Sequence, residues 1–400
     1  MKTLRIVAVL LLLNIMPSGA QAIWNREHLE KVKASMDDPF YSGACQALMK
    51  TADRMLDAEP LSVMMKEAVP ASGDKHDYMS LARYYWPDPS KPDGLPYISR
   101  DGESNPELEK LDRNKVSATA DRVTALSLAW YFSGDEKYAA KATELLRVWF
   151  LDKKTRMNPN LEYAQMVPGR NGGKGRNFGV LDTYSFVEML DAVALLESSR
   201  SFKDKDSKKL KQWFSDLLDW ILTSRQGNDE SHQANNHGTA YDVQVVAFAL
   251  YAGREDLARE IIGAFPEKRT FTQIEPDGSQ PFELGRTLAF HYSHYNLTHY
   301  IDMYMMARKL GIDIDHATSP DGRNFYKALD FLLPYVGENP APWPYKQISG
   351  MEDVRQKLYR DLYRTAVYLD PSKTGYVELY EKFAHKSMRD LFNILYVERH

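Results

Sequence analysis

The feature that most constrains the fold is a series of long amphipathic helices, set two by two, with almost no stretch that alternates apolar and polar residues. The segment "VSATADRVTALSLAWYFSG" places Val116, Ala120, Val123, Leu126 and Trp130 at helical spacing and reaches Gly134, a residue suited to a left-handed cap. A second helix, "EKYAAKATELLRVWFL", follows at once. The same unit recurs as "YSFVEMLDAVALLESS" with "SKKLKQWFSDLLDWILTS", and as "TAYDVQVVAFALYAG" with "REDLAREIIGAF". Further pairs run from "LAFHYSHYNLTHYIDMYMMARKLG" to "RNFYKALDFLLPYV", and from "EDVRQKLYRDLYRTAVYL" to a helix near the C-terminus. Antiparallel hairpins in series bury their apolar stripes best by packing side by side into a curved ring, with a sheet-free core.

With 400 residues, the chain is long enough for one large domain with a sizeable core. Its first residues, "MKTLRIVAVLLLLNIMPSGAQA", combine a basic start, a short apolar run and the small-residue end Ala20-Gln21-Ala22. That pattern predicts a signal peptide over residues 1–22, a mature chain over 23–400 that begins near Ile23, and a periplasmic or secreted product. No later apolar run is long enough to span a bilayer, and no cysteine marks a lipid anchor, so no membrane partner is expected. Cys45 is the single cysteine, which excludes a disulfide framework and a cysteine-built zinc site. The formal net charge of −4 disfavours a general affinity for nucleic acid. The protein is read as a monomer.

Long segments rich in chemistry separate the hairpins. "YYWPDPSKPDGLPYISRDGESNPE" and "RMNPNLEYAQMVPGRNGGKGRNFG" break helices with proline and glycine but are too aromatic for disorder, so they are expected to line one end of the ring. "GRNGGKGRNFG" lacks the phosphate-loop spacing and no strand precedes it. With Arg170, Lys174 and Arg176 it reads as a basic lid over an anionic polymer. At the mouth of an apolar helix, "SHQANNHGTAYD" sets two amides beside an imidazole.

Three of these stretches, "YYWPDPSKPDGLPYISRDGESNPE", "ATELLRVWFLDKKTRMNPNLEYAQ" and "ANNHGTAYDVQVVAFALYAG", resemble successive signatures of the alginate lyase family of polysaccharide lyases. The resemblance runs from roughly Tyr84 to Tyr300. It implies an all-α fold, an incomplete (α/α) toroid of about six to seven antiparallel helical hairpins, and an anionic polysaccharide partner, alginate or another polyuronate such as glucuronan. It also implies a catalytic set of Asn, His, Arg and Tyr. These fall on Asn236 and His237, and on Arg286 and Tyr292 in "ELGRTLAFHY". One residue fewer separates this Arg from its Tyr than in the family pattern, so Tyr295 is the alternative. No cofactor is implied.

Those residue types suit β-elimination in a polyuronate, which removes the weakly acidic proton on C5 and expels the oxygen on C4. Amide and guanidinium donors, here Asn236 and Arg286, neutralise the neighbouring carboxylate as charge spreads into it; each such donor is often worth ~3 kcal/mol. His237 and Tyr292 then serve as base and acid. When proton and leaving oxygen share a face, as in mannuronate, one Tyr can do both; when they lie on opposite faces, as in guluronate, His237 takes the proton. A phenol acts as base only if neighbours lower its pKa from ~10, a task open to Arg286 and His237. Tyr84, Tyr85 and Trp86 are expected to stack on sugar rings, and Asn160, Tyr163 and Gln165 to bond hydroxyls or a carboxylate.

Taken singly, each residue has an ordinary reading: Asn236 as a helix cap, His237 as a satisfied polar group, Arg286 as an ion-pairing residue and Tyr292 as a core aromatic. Their joint occurrence with the loop signatures favours catalysis. His291, His294 and His299 lack the carboxylate that would complete a metal site, so no metal is expected. Two rival functions are a glycoside hydrolase using Glu283 and Asp182, and a carbohydrate-binding protein without chemistry.

Overall fold

A computed structural model of the chain describes residues 22–398. The leader expected over residues 1–22 lies outside the described residues apart from Ala22. Helices α1 (Arg26–Ala34) and α2 (Pro39–Leu56) come first, and the hairpin around Gly134 forms as α3 (Arg113–Ser133) and α4 (Glu136–Leu146). Gly134 takes φ 72° and donates its N–H to Trp130 O, and the Asp135 side chain caps α4 at Lys137 N. Then follow α5 (Phe186–Leu196), α6 (Asp204–Thr223), the short α7 (Arg225–Ser231), α8 (Asn236–Tyr251) and α9 (Glu255–Phe265). Two single-turn helices, α10 (Phe271–Gln273) and α11 (Pro281–Leu284), lead into α12 (Ala289–Lys309). The chain ends with α13 (Phe325–Leu332), α14 (Met351–Tyr368), α15 (Thr374–Phe383) and α16 (Leu391–Leu395).

Helices α3, α5, α8, α12 and α14 pack one against the next as an inner row, with α4, α9, α13 and α15 each outside the inner helix that precedes it and α6 against α8. This is the toroid expected from the hairpin series. The seam between α14 and α3 is filled by the chain ends: α2 packs on α3 and on α16, and Tyr41 Oη donates to Val397 O at 3.2 Å. Phe150, Phe186, Trp213, Phe214 and Phe248 meet at centroid distances of 4.7–6.3 Å and join α5, α6 and α8 into one core. Helix α12 is buried nearly all round, so its polar groups need internal partners. Asn296 bonds Gln273 and Gln280, and Asp302 holds Arg364 at 2.6 Å. Among the described residues no helix is long and apolar enough to cross a membrane.

The two long loop segments are tied together at one end of the ring. Strand β1 (Met79–Leu81) pairs in parallel with β4 (Tyr163–Met166), and β2 (Tyr85–Trp86) pairs antiparallel with β3 (Ile98–Ser99), Tyr85 opposite Ser99. Tyr163, expected to bond hydroxyls or a carboxylate, is buried with Met79, Leu81, Leu108 and Leu111 in a small apolar layer.

The mouth of α8 is fixed by Arg269, which bonds Asp242 at 2.7 Å and the carbonyls of Gln233 and Ser231 at 2.8 Å each. Gly238, next to His237, lies so close to this clamp that a Cβ would overlap Gln233 O and the Arg269 guanidinium. Overpacking of this kind costs roughly 1–3 kcal/mol. Gly238→Ala is therefore expected to lower the melting temperature and to reduce turnover together, measured by thermal denaturation beside an activity assay.

Candidate active site

The residues at the opening of α8 are held by two buried carboxylates from neighbouring elements. Asn235 caps the helix by accepting from His237 N at 3.1 Å, which relieves Asn236 of the capping task. Asn236 donates its backbone N–H to Glu283 Oε1 at 2.6 Å and its Nδ2 to Glu283 Oε2 at 2.7 Å. Burial pushes the Glu283 carboxyl up, and the two Asn236 bonds oppose that shift. His237 Nδ1 lies 2.6 Å from Glu230 Oε1, and the other Glu230 oxygen accepts from Asn177 Nδ2 at 2.7 Å. A fully buried carboxylate at Nδ1 fixes the proton there, so the lone pair of neutral His237 sits on Nε2. Phe178 covers the imidazole at 4.3 Å between ring centroids.

The other half of the cluster comes from the segment after α11. The Arg286 guanidinium lies 3.8 Å from the centre of the Tyr292 ring and grips Asp101 through Nη2 at 2.7 Å and Nε at 3.3 Å. Tyr292 Oη is 2.8 Å from Tyr84 Oη. Burial raises the Tyr292 phenol well above its ordinary range, Tyr84 adds to the rise, and Arg286 only opposes it. Arg286 pulls that pKa down as expected, but burial outweighs it, so in the free protein Tyr292 holds its proton. Tyr295, one turn further along α12, contacts His299 and His291 rings, so both tyrosines face the same side. Glu283 links the halves, since Arg286 and His237 both act on its carboxylate.

The matching sequence model of the alginate lyase family covers residues 62–343. The chain belongs to the alginate lyase family. An alginate lyase from Bacteroides ovatus is similar over 95% of this chain and 99% of its own, at 50% identity and a TM-score of 0.92. Alginate lyase A1-III from Sphingomonas species A1 shares the fold at 17% identity, with a TM-score of 0.61 over 96% of this chain and 97% of that one. A tyrosine-to-phenylalanine variant of A1-III, solved with a tetrasaccharide, aligns at 15% identity over 96% and 97% of the two chains with a TM-score of 0.60. No curated protein sequence matches. The protein is an alginate lyase, a polysaccharide lyase on a helical toroid.

In this alginate lyase the remaining predicted residues divide. Arg176 is brought to the cluster: its guanidinium lies between the Tyr85 ring at 4.8 Å and the Phe178 ring at 4.6 Å, bonds Gln165 Oε1 at 3.1 Å, and leaves a buried Nε without a partner. Gln165, held at φ 50°, braces Arg176 and bonds Asp182 at 2.9 Å. Arg170 reaches Tyr97 O at 3.3 Å and Lys174 pairs with Glu162, so of the lid cations Arg176 alone joins His237 through Phe178. Trp86 bonds Glu103 O and lies under Arg100, which fastens the β2–β3 loop. Asn160, also expected to meet sugar, uses both ends of its amide on the loop, donating to Asp77 at 3.0 Å and accepting from Glu162 N at 3.2 Å.

The three histidines of α12 are engaged separately: His294 bonds Asp361 at 3.0 Å, His299 bonds Tyr184 at 2.7 Å, and His291 stacks on Tyr295, its pKa pushed down to about 4 by burial. The hydrolase pair fails on geometry as well. Glu283 holds Asn236, and Asp182 is enclosed by Tyr78, Ser80, Arg113 and Gln165. Sequence reasoning missed Glu230, Phe178 and Asp101. Glu230 stands in the same polar stretch as His237, but nothing local marks it as buried. Glu230→Gln removes the charge that holds Nδ1–H, and is expected to lower kcat by roughly 10–100-fold with KM little changed, as loss of an outer partner of a working histidine does. Steady-state kinetics of the variant check this.

Proposed function

We propose that this enzyme cleaves alginate by β-elimination, with Asn236 and Arg286 receiving the uronate carboxylate, His237 Nε2 acting as base on the guluronate C5 proton, and Tyr292 donating to the leaving C4 oxygen. The carrying observation is the pairing of a histidine whose Nδ1 is fixed by Glu230 with a phenol that stays protonated beside Arg286. The C5–H bond breaks, its electron pair forms the C4–C5 double bond, the C4–O bond breaks, and the departing oxygen takes the Tyr292 proton. The product carries a 4,5-unsaturated uronate end.

Mannuronate presents proton and leaving oxygen on one face. On that route Tyr292 serves twice: its proton first leaves to water, the phenolate, faced by Arg286 over the ring and the Tyr84 hydroxyl at 2.8 Å, takes the C5 proton, and the re-formed phenol gives that proton to the C4 oxygen. Arg176, with its unpartnered Nε, adds a second cation for the polymer. The tetrasaccharide complex of A1-III, on the same fold, supports an anionic oligosaccharide as the ligand. The leader-like start supports action in the periplasm or outside the cell.

Ultraviolet absorbance on mixing with poly-mannuronate, poly-guluronate and glucuronan tests the reading. Absorbance from the conjugated double bond is expected to rise with the two alginate blocks. Tyr292→Phe is expected to lower the rate at least ~10²-fold on both, and His237→Ala to do so on poly-guluronate far more than on poly-mannuronate. Reducing ends without absorbance contradict elimination, and equal losses on both blocks in His237→Ala contradict the division of roles.

A further inference from the structure

The chain enters the toroid through a carboxylate on an inner helix. Asp191 of α5 is 2% exposed, and its two oxygens accept from three successive backbone N–H groups: Ala22 at 2.6 Å, Ile23 at 2.8 Å and Trp24 at 2.7 Å. Ile23 and Trp24 are buried at 4% and 0%, so their side chains anchor this entry. No side-chain cation among the described residues hydrogen-bonds Asp191. Lys309 acts on it only from a distance, and Arg364 is committed to Asp302 and Asp361. Glu188, one turn earlier on α5, is a second buried carboxyl nearby, pushed up to about 7 by burial and by Asp302 and Asp191. Burial pushes the Asp191 carboxyl up to about 6, and the three N–H donors only partly offset it. A buried carboxylate with three amide donors and no cation in hydrogen-bonding contact is an incomplete ion pair.

Of the three residues in contact, Ala22 is the last of the expected leader and Ile23 the first of the expected mature chain. We propose that Asp191 is a built binding site for the α-ammonium of Ile23, released when the leader is cut after Ala22, so that processing completes a buried ion pair in the toroid wall. Hydrolysis adds water across the Ala22–Ile23 amide. Ala22 departs as a carboxylate, and the Ile23 nitrogen becomes an amine that binds a proton at neutral pH. That nitrogen already stands 2.8 Å from Asp191 Oδ2, and loss of Ala22 N frees Oδ1 for a second of its three donors. Trp24 N–H keeps its bond.

The inference rests on removal of the leader, not on the lyase chemistry, and N-terminal sequencing of the exported protein separates the two. Sequencing is expected to read Ile23 first. A chain starting at Ile23 is expected to melt at least roughly 3 °C above one that carries a Gly-Ser extension before Ala22, and Asp191→Asn is expected to remove that difference. At neutral pH the Ile23 amine is expected to react with an amine-selective acylating reagent at least about tenfold more slowly than the amine of the extended chain, the effect of one pKa unit. This labelling uses unsubstituted chains and decides the matter even where Asp191→Asn fails to fold. A different first residue, equal melting temperatures, or equal labelling rates overturns the proposal.

Discussion

The contact on which the site depends is the one between Glu283 and Asn236. A carboxylate on the one-turn helix α11, shut off from solvent, takes both the first N–H of α8 and the amide of the same residue. Three residues after Glu283 comes Arg286, and six further on comes Tyr292 at the start of α12. One bidentate contact therefore sets the spacing between the amide and imidazole on α8 and the guanidinium and phenol on the following segment. The partial positive charge at the start of α8 supports the carboxylate in that place. A hydrogen bond to a charged group contributes about 1.5–3 kcal/mol, and leaving either partner unpaired in the interior costs more than the bond is worth.

Electrostatics then separates the roles. The imidazole has one nitrogen committed to Glu230 and one free, while the phenol, buried and bonded to Tyr84, keeps its proton. A base and an acid thus stand on different helices, the imidazole with Nδ1 held by Glu230 and the phenol with its proton in place. Asp101 shows how Arg286 receives a carboxylate, through Nη2 and Nε, while Nη1 remains for a second one. The loop that carries Asp101 is thereby fastened to the residue that must meet substrate.

The helical hairpins were legible because period and caps are local: Gly134 and Asp135 end one helix and start the next as their chemistry dictates. Asn236, His237, Arg286 and Tyr292 stood out through their signatures, and the structure sets the first three about Glu283 with Tyr292 against Arg286. The supporting carboxylates were not, since burial of Glu230 depends on α7 folding back beneath the glycine-rich loop, a contact without a local pattern. The packing of Tyr163 and the loop bonds of Asn160 were hidden for the same reason: in a loop sequence, a residue that faces a ligand and one that braces the loop look alike. The Tyr292 phenol misled differently. A nearby cation was anticipated, and it is there, but burial outweighs it.

The most direct test is a crystal structure of the Tyr292→Phe variant with an alginate tetrasaccharide bound across the cluster. The account predicts one uronate carboxylate within hydrogen-bonding distance of Asn236 and Arg286, with His237 Nε2 pointing at C5 and position 292 beside the C4 oxygen. A carboxylate bound elsewhere, with Asn236 and Arg286 facing hydroxyls only, would contradict it.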